Sequence, residues 1–166
     1  RTNTNKRIHF ASAMSMTGLN DGDNYETGYG YLDIVDFIIQ NCIDVDDNLE
    51  ELYRRVAFNI CVGNSDDHFR NHGFLLTKKG WTLAPAYDIN PTNNEYQSLL
   101  VDVNSNEASL ERLQDACDDY YITKAKASRI IDLIKIAVKD WRNVANTLQI
   151  PESEQSRFAK RFDSKI

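Results

Sequence analysis

Apolar side chains recur every three or four positions over most of this chain, the spacing of helices that bury one face. Tyr31, Ile34, Val35, Ile38, Ile39 and Cys42 predict a helix over about 31–43. Leu49, Leu52, Tyr53, Val56, Ala57, Ile60 and Cys61 form a clearer stripe that Gly63 ends, and Asp47 with Glu50 reads as its capping box, Asp standing in for Ser or Thr. A short helix beginning near 106–109 carries Leu110, Leu113 and Cys117 on one face. Thr123 is placed to cap a long helix to about 147, with Ala127, Ile130, Ile131, Ile134, Val138, Trp141, Ala145 and Leu148 inward. Pro151 suits the first turn of a last helix, with Glu152 and Glu154 near its start and Lys160 and Arg161 near its end. The opening residues also read as helical, around Ile8 to Met16, with Gly18 as the stop.

This rhythm is interrupted twice. Residues 17–30 are rich in Gly, Asn, Asp and Tyr and read as a long loop, of a length that is often functional or mobile. Over 72–85, Gly73-Phe74-Leu75-Leu76-Thr77 and Trp81-Thr82-Leu83-Ala84 flank Lys78-Lys79-Gly80 in the pattern of a β-hairpin, and Ser98 to Val103 reads as a further strand. The predicted fold class is therefore α+β, mainly α: helices with one small β-hairpin, and no internal repeat.

With 166 residues, 42% of them hydrophobic, the chain is one domain or one lobe of a larger enzyme, and long enough to bury a core. A net charge of −6 argues against a general nucleic-acid surface and against docking on anionic membranes. It leaves ATP open, because Mg²⁺ bridges carboxylates to phosphates. Cys42, Cys61 and Cys117 are odd in number, far apart and set in apolar helical patterns, which predicts buried free thiols in a reducing cytosol. No Cys-x-x-Cys points to structural zinc. With no leader pattern and no apolar run of about 18 residues, a cytoplasmic location is expected, although the chain opens at Arg1 and an upstream segment stays open.

The candidate chemistry lies on either side of the hairpin. Gly63-Asn64-Ser65-Asp66-Asp67-His68-Phe69-Arg70-Asn71 precedes it, and Ala84-Pro85-Ala86-Tyr87-Asp88-Ile89-Asn90-Pro91 follows. Each residue alone has a plain reading: Asp66 as a turn or cap, Asn71 as a turn amide, Asp88 as a turn former. Their order is the one phosphoryl transfer needs, with an Asp-x-x-x-x-Asn step and then a third acidic residue. Asp66 is the candidate catalytic base that orients a substrate hydroxyl, and Asn71 and Asp88 are candidate Mg²⁺ ligands. The hairpin returns the chain to where it began, so it can bring Asp88 beside Asn71.

His68 reads first as an orienting catalytic residue, with a metal ligand and a packed histidine as the other readings. Arg70 is solvated, holds a phosphate or pairs with Asp67. His72 reads as a strand-start residue, Phe74 and Trp81 as core, and Asn64 as support for the loop backbone. Two other functions fit these residues. One is a metal-dependent phosphohydrolase built from Asp66, Asp67, His68, His72 and Asp88. The other is an inactive helical interaction module with an exposed apolar patch.

The runs 63–71 and 83–91 resemble the C-terminal domain of the HipA family, bacterial serine/threonine kinases best known as toxins of toxin–antitoxin modules. The resemblance is specific over about 60–91 and implies a kinase-like C-terminal lobe over 1–166. It implies that Asp66 is the catalytic aspartate and that Asn71 and Asp88 bind the magnesium of Mg-ATP. It also implies a protein substrate, in known cases connected with translation, and a helix-turn-helix antitoxin that carries the DNA binding. Neither a Gly-rich phosphate loop nor a strand lysine is present, and Lys6 is the only lysine before residue 78. Such kinases keep both parts in a preceding region, so the chain is expected to be a fragment that transfers phosphate poorly or not at all alone.

Overall fold

The computed structural model describes residues 7–92 and 94–164. Lys6, and the part of the opening segment before Arg7, lie outside the described residues. In chain order the elements are β1 (His9–Ser12), α1 (Ala13–Thr17), α2 (Tyr31–Asn41), α3 (Val45–Val62), β2 (Gly73–Leu76), β3 (Trp81–Leu83), α4 (Leu110–Asp115), α5 (Lys124–Lys139), α6 (Trp141–Thr147) and α7 (Glu152–Ser164). Short 3-10 turns lie at Tyr25–Thr27, Phe69–Asn71 and Cys117–Tyr120. The fold is α+β and mainly helical, as its periodicity predicts.

α3 is the central helix. Leu52, Tyr53, Val56, Ala57, Ile60 and Cys61 are wholly buried, between Ile34, Val35 and Ile38 of α2 and Ala127, Ile130, Ile131 and Val138 of α5. Burial of a Leu or Ile side chain contributes about 1.5–3 kcal/mol, so this layer outweighs the weak intrinsic preference of so β-branched a set of residues. Two buried tyrosines tie in the lower chain: Tyr53 donates to the Leu113 carbonyl at 3.0 Å and Tyr120 to the Val101 carbonyl at 2.6 Å.

The sheet runs β1-β2-β3, antiparallel throughout, with Ala11 opposite Phe74 and Phe74 opposite Leu83. The hairpin is the predicted one, but β1 replaces the first half of the predicted opening helix. Residues 9–12 are too few to hold a helix alone, and the edge of β2 offers them a ladder of partners. The helix survives only as α1, which Ser12 caps and left-handed Gly18 ends.

Three further predicted boundaries move. α3 starts at Val45 with Asp44 as its left-handed N-cap, not at an Asp47–Glu50 capping box. The cause is Asn48, whose Nδ2 donates to the carbonyls of Ile43 and Asp44 at 2.7 and 3.0 Å, while Glu50 pairs with Arg54 and Lys126. The long helix breaks at Asp140, where the Asn143 side chain donates to Oδ1. The turn lets Trp141 stack on Phe162 of α7, and Leu148 ends up exposed rather than inward. Residues 98–103 form no strand. They make a single parallel bridge at Gly30–Leu100, although Leu99 and Val101 are fully buried.

Gly30 is constrained by that bridge. A Cβ there would collide with the Leu100 carbonyl oxygen and lie 2.6 Å from its Cβ. Gly30→Ala is therefore expected to destabilise the chain by about 1–3 kcal/mol through overpacking. A urea midpoint equal to wild type would show that the Leu100 segment moves aside freely.

Candidate active site

Three polar residues interrupt the apolar face of α3, and each is buried: Asn48, Arg55 and Asn59. Their spacings of seven and four place them along one side of the helix. Each reaches a different piece of chain. Asn48 Oδ1 accepts from the Leu83 N–H at 2.7 Å and the Thr82 hydroxyl at 3.0 Å, fastening β3. Arg55 Nη2 donates to the Ala84 carbonyl at 2.5 Å. Asn59 Nδ2 donates to Asp67 Oδ2 at 2.6 Å, and Asn59 Oδ1 accepts from the Asn64 side chain at 3.2 Å.

The candidate catalytic loop begins where α3 ends. Gly63 is left-handed (φ 73), and Arg161 of α7 lies across the space a Cβ would fill. Beyond it, exposed and buried side chains alternate over residues 66–70. Asp66 faces solvent, Asp67 is buried, His68 is half-buried, Phe69 is buried and Arg70 is exposed. Asp67 sets this alternation. Its Oδ2 accepts from Tyr31 Oη at 2.8 Å, Asn59 Nδ2 at 2.6 Å and His72 Nε2 at 2.9 Å. These donors come from α2, α3 and the residue just before β2, so a single oxygen joins three parts of the chain. Burial, reinforced by the adjacent Asp67 charge, raises the Tyr31 pKa well above the usual phenol value and keeps it a donor.

Asn71 closes the 3-10 turn with its N–H on the His68 carbonyl at 2.8 Å. Its side-chain nitrogen donates to the Asp66 carbonyl at 3.2 Å, so the amide nitrogen is used and the amide oxygen is the end left for a cation. The residue that ends the loop, Gly73, lies under the ring of Phe10, which a Cβ would strike.

Residues 84–92 arch over this loop and are fastened to both of its ends. The Ala84 N–H bonds the Gly73 carbonyl at 2.7 Å, and the Thr92 N–H bonds the Gly63 carbonyl at 2.8 Å. Thr92 Oγ1 also lies 2.5 Å from Ser65 Oγ. Midway, Tyr87 Oη donates to the Arg70 carbonyl at 2.5 Å. The residues that precede Asp88 and Asn71 are thus bonded to each other. Asp88 is exposed and left-handed (φ 57), with Asn90 Nδ2 donating to its Oδ1 at 2.8 Å. Burial, then the nearby Asp67 charge, raises the Tyr87 pKa, with Arg55 opposing.

His68 is brought to Arg70, whose Nη2 lies 3.3 Å from His68 Nε2, and its Nδ1 is buried without a partner. Arg70 pairs with Asp21 of the long loop, not with Asp67. His72 is no mere strand-start residue, since it is one of the three Asp67 donors. A cavity of about 190 Å³ lies between residues 20–24 and Asp66, His68 and Arg70. Among the described residues no group of three His, Cys, Asp or Glu side chains converges to hold a metal. Sequence reasoning missed Tyr31, Asn48, Arg55 and Asn59. The available signal was polar residues placed where an amphipathic helix calls for apolar ones.

A family model for the HipA-like C-terminal domain matches residues 1–141. No curated protein sequence matches the chain. Among solved structures, a chain of the HipA, HipB and operator DNA complex of the Shewanella oneidensis MR-1 toxin–antitoxin system is similar with a TM-score of 0.73 and 14% identity. The match covers 99% of this chain and 44% of that one, so this chain spans less than half its length. At that identity the likeness is one of fold.

Removing the Asp67 carboxylate strands three buried donors. Asp67→Ala is expected to cost roughly 3–5 kcal/mol, and Tyr31→Phe, which removes one bond to the charge, about 1.5–3 kcal/mol. Urea unfolding measures both, and an Asp67→Ala midpoint within error of wild type would refute the role assigned to this oxygen.

Proposed function

The chain belongs to the HipA-like C-terminal domain family, and on that premise we propose that it is the catalytic lobe of a serine/threonine protein kinase. The observation that carries this reading is the fastening of the 84–92 arch across the 63–73 loop, which bonds the residue before Asp88 to the residue before Asn71, whose side chain holds the backbone of exposed Asp66. The donor set fits a magnesium ion: one neutral amide oxygen and one carboxylate, both hard, with places left for phosphate oxygens and water. When bound, Mg-ATP would supply the γ-phosphoryl group and neutralise charge on its oxygens.

Asp66 accepts the hydrogen bond of a substrate Ser or Thr hydroxyl and aims its oxygen at phosphorus. The new bond is Oγ–P, the bond broken is that from phosphorus to the β,γ-bridging oxygen, ADP leaves, and the hydroxyl proton passes to Asp66. Asn71 does double duty, because its side chain also holds the Asp66 backbone. The 190 Å³ cavity beside Asp66, walled by residues 20–24, is the entry for the acceptor side chain. His68, bonded to Arg70 rather than to either ligand, supports that wall.

Residues that would grip the phosphates are expected in a separate region, so the full-length protein is the active unit and this lobe alone is inactive. A helix-turn-helix antitoxin is a fitting partner, since the similar Shewanella structure holds HipA with HipB and operator DNA. The acidic chain itself takes no part in DNA binding in this proposal, and with no helix among the described residues able to cross a membrane, a cytoplasmic site of action fits. The phosphohydrolase reading is disfavoured because Asp67 and His72 are spent on each other in the interior. The interaction-module reading has one observation in its favour, the exposed Leu133, Ile136, Val144 and Leu148 of α5 and its continuation.

Transfer from γ-labelled ATP in the full-length protein separates these readings. Asp66→Asn is expected to lower the rate by roughly 10²–10⁴-fold, and removal of divalent cations to abolish it. Undiminished transfer by Asp66→Asn would overturn the kinase reading, and no transfer by wild type with any Ser/Thr acceptor would favour the interaction module.

A further inference from the structure

Arg55 is a cation with only 8% of its surface exposed, on the helix that backs the candidate site. Its Nε donates to Glu51 Oε1 at 2.9 Å, its Nη2 to the Ala84 carbonyl at 2.5 Å, and its Nη1 is buried without a partner. A buried guanidinium gives up its hydration and is retained only where its donors are used. An apolar residue would continue the α3 stripe at this position more cheaply, so the fold alone does not call for an arginine here.

The carbonyl it holds is placed to matter. Ala84 is where the chain leaves β3 and begins the arch, its N–H is already on the Gly73 carbonyl, and Arg55 grips the other side of the same residue. Pro85 follows and has no N–H to give. Among the described residues no backbone–backbone hydrogen bond holds 85–91, so the polar fastenings of the arch are the Ala84 clamp, the Tyr87 hydroxyl and Thr92, beside the packing of Ile89 on the core and of the Tyr87 ring on Phe10. Asp88 lies four residues beyond the clamp in a left-handed conformation, which a non-glycine residue keeps only when the surrounding chain is held. The Arg55 charge is also felt at the Tyr87 hydroxyl, as are those of Asp67 and Asp88.

We propose that Arg55 is a positioning residue for Asp88: by clamping the Ala84 carbonyl from α3 it holds the arch where Asp88 and Asn71 can share one divalent cation. This rests on the metal assignment made above. The role needs the planar fork of arginine, because Nε and Nη2 bridge Glu51 and Ala84 at once; a lysine ammonium is a point donor on a flexible stem.

The test is a titration of the full-length protein with Mn²⁺ in the presence of a non-hydrolysable ATP analogue, following free Mn²⁺ by electron paramagnetic resonance. Arg55→Lys and Arg55→Met are each expected to weaken Mn²⁺ binding by about 10–100-fold, the range for residues that orient metal ligands. Glu51→Ala removes the Nε acceptor from a half-buried position at the helix surface and leaves the core intact; loosening the Nε contact is expected to weaken binding about threefold. Wild-type Mn²⁺ affinity in both Arg55 variants overturns the proposal. Should those variants not fold, an unchanged affinity in Glu51→Ala overturns it. Asp88→Asn separates the two ideas: if it leaves Mn²⁺ binding unchanged the metal assignment itself fails, whereas loss of binding in Asp88→Asn with none in the Arg55 variants sinks only the role of Arg55.

Discussion

A single carboxylate oxygen organises this lobe. Asp67 Oδ2 lies in the interior and takes hydrogen bonds from Tyr31 of α2, Asn59 of α3 and His72 at the entry to β2. An ionised carboxylate away from water is tolerable only when its oxygens are supplied with donors. The loop therefore has one register in which Asp67 points inward. With Asp67 turned inward, Asp66 is left facing solvent, so the displayed carboxylate accompanies the hidden one. Phe69, buried at the start of the 3-10 turn, anchors the loop on the far side of His68.

α3 converts that local constraint into a site. Its apolar residues bind it into the core, and its three buried polar residues hold β3, the root of the arch and the loop. A wholly apolar stripe would stabilise the fold equally well but would leave these segments free to shift. Hydrogen bonds inside a protein are directional and costly to leave unmade, so they select one arrangement where apolar contact would accept several. The helix thus serves as the common reference for Asp66, through Gly63, and for Asp88, through Arg55. Two carboxylates 22 positions apart in sequence are placed by one rigid element.

This arrangement suits phosphoryl transfer, in which the protein contributes position and charge more than covalent chemistry. In that proposal an acidic chain can serve a polyanionic nucleotide, because the carboxylates that would repel phosphate are the ones a divalent ion would join to it. The Asp21–Arg70 pair and the cavity beside it show that the long glycine-rich loop belongs to the same face of the molecule.

Much of the framework was legible in the chain itself. The α3 stripe and its end at Gly63, the hairpin around Lys78-Lys79-Gly80, the Thr123 cap and the helix after Pro151 all depend on contacts within a few residues. So does the order Asp66, Asn71, Asp88, which is a property of sequence. Most of what was misread depends on distant partners. β1 exists because β2 lies beside it, and the helix breaks at Asp140 where Trp141 turns to Phe162. The early start of α3 is local, since Asn48 draws in the carbonyls of Ile43 and Asp44, but it follows no standard capping pattern. Likewise no local pattern marks Asp67 as the buried member of the Asp66-Asp67 pair; folding decides that by bringing Tyr31, 36 positions away, to the same oxygen as Asn59 and His72. Periodicity and capping are local physics and can be read along the chain. Which polar group is buried is settled by the donors that folding brings to it, and those donors meet only in the tertiary structure.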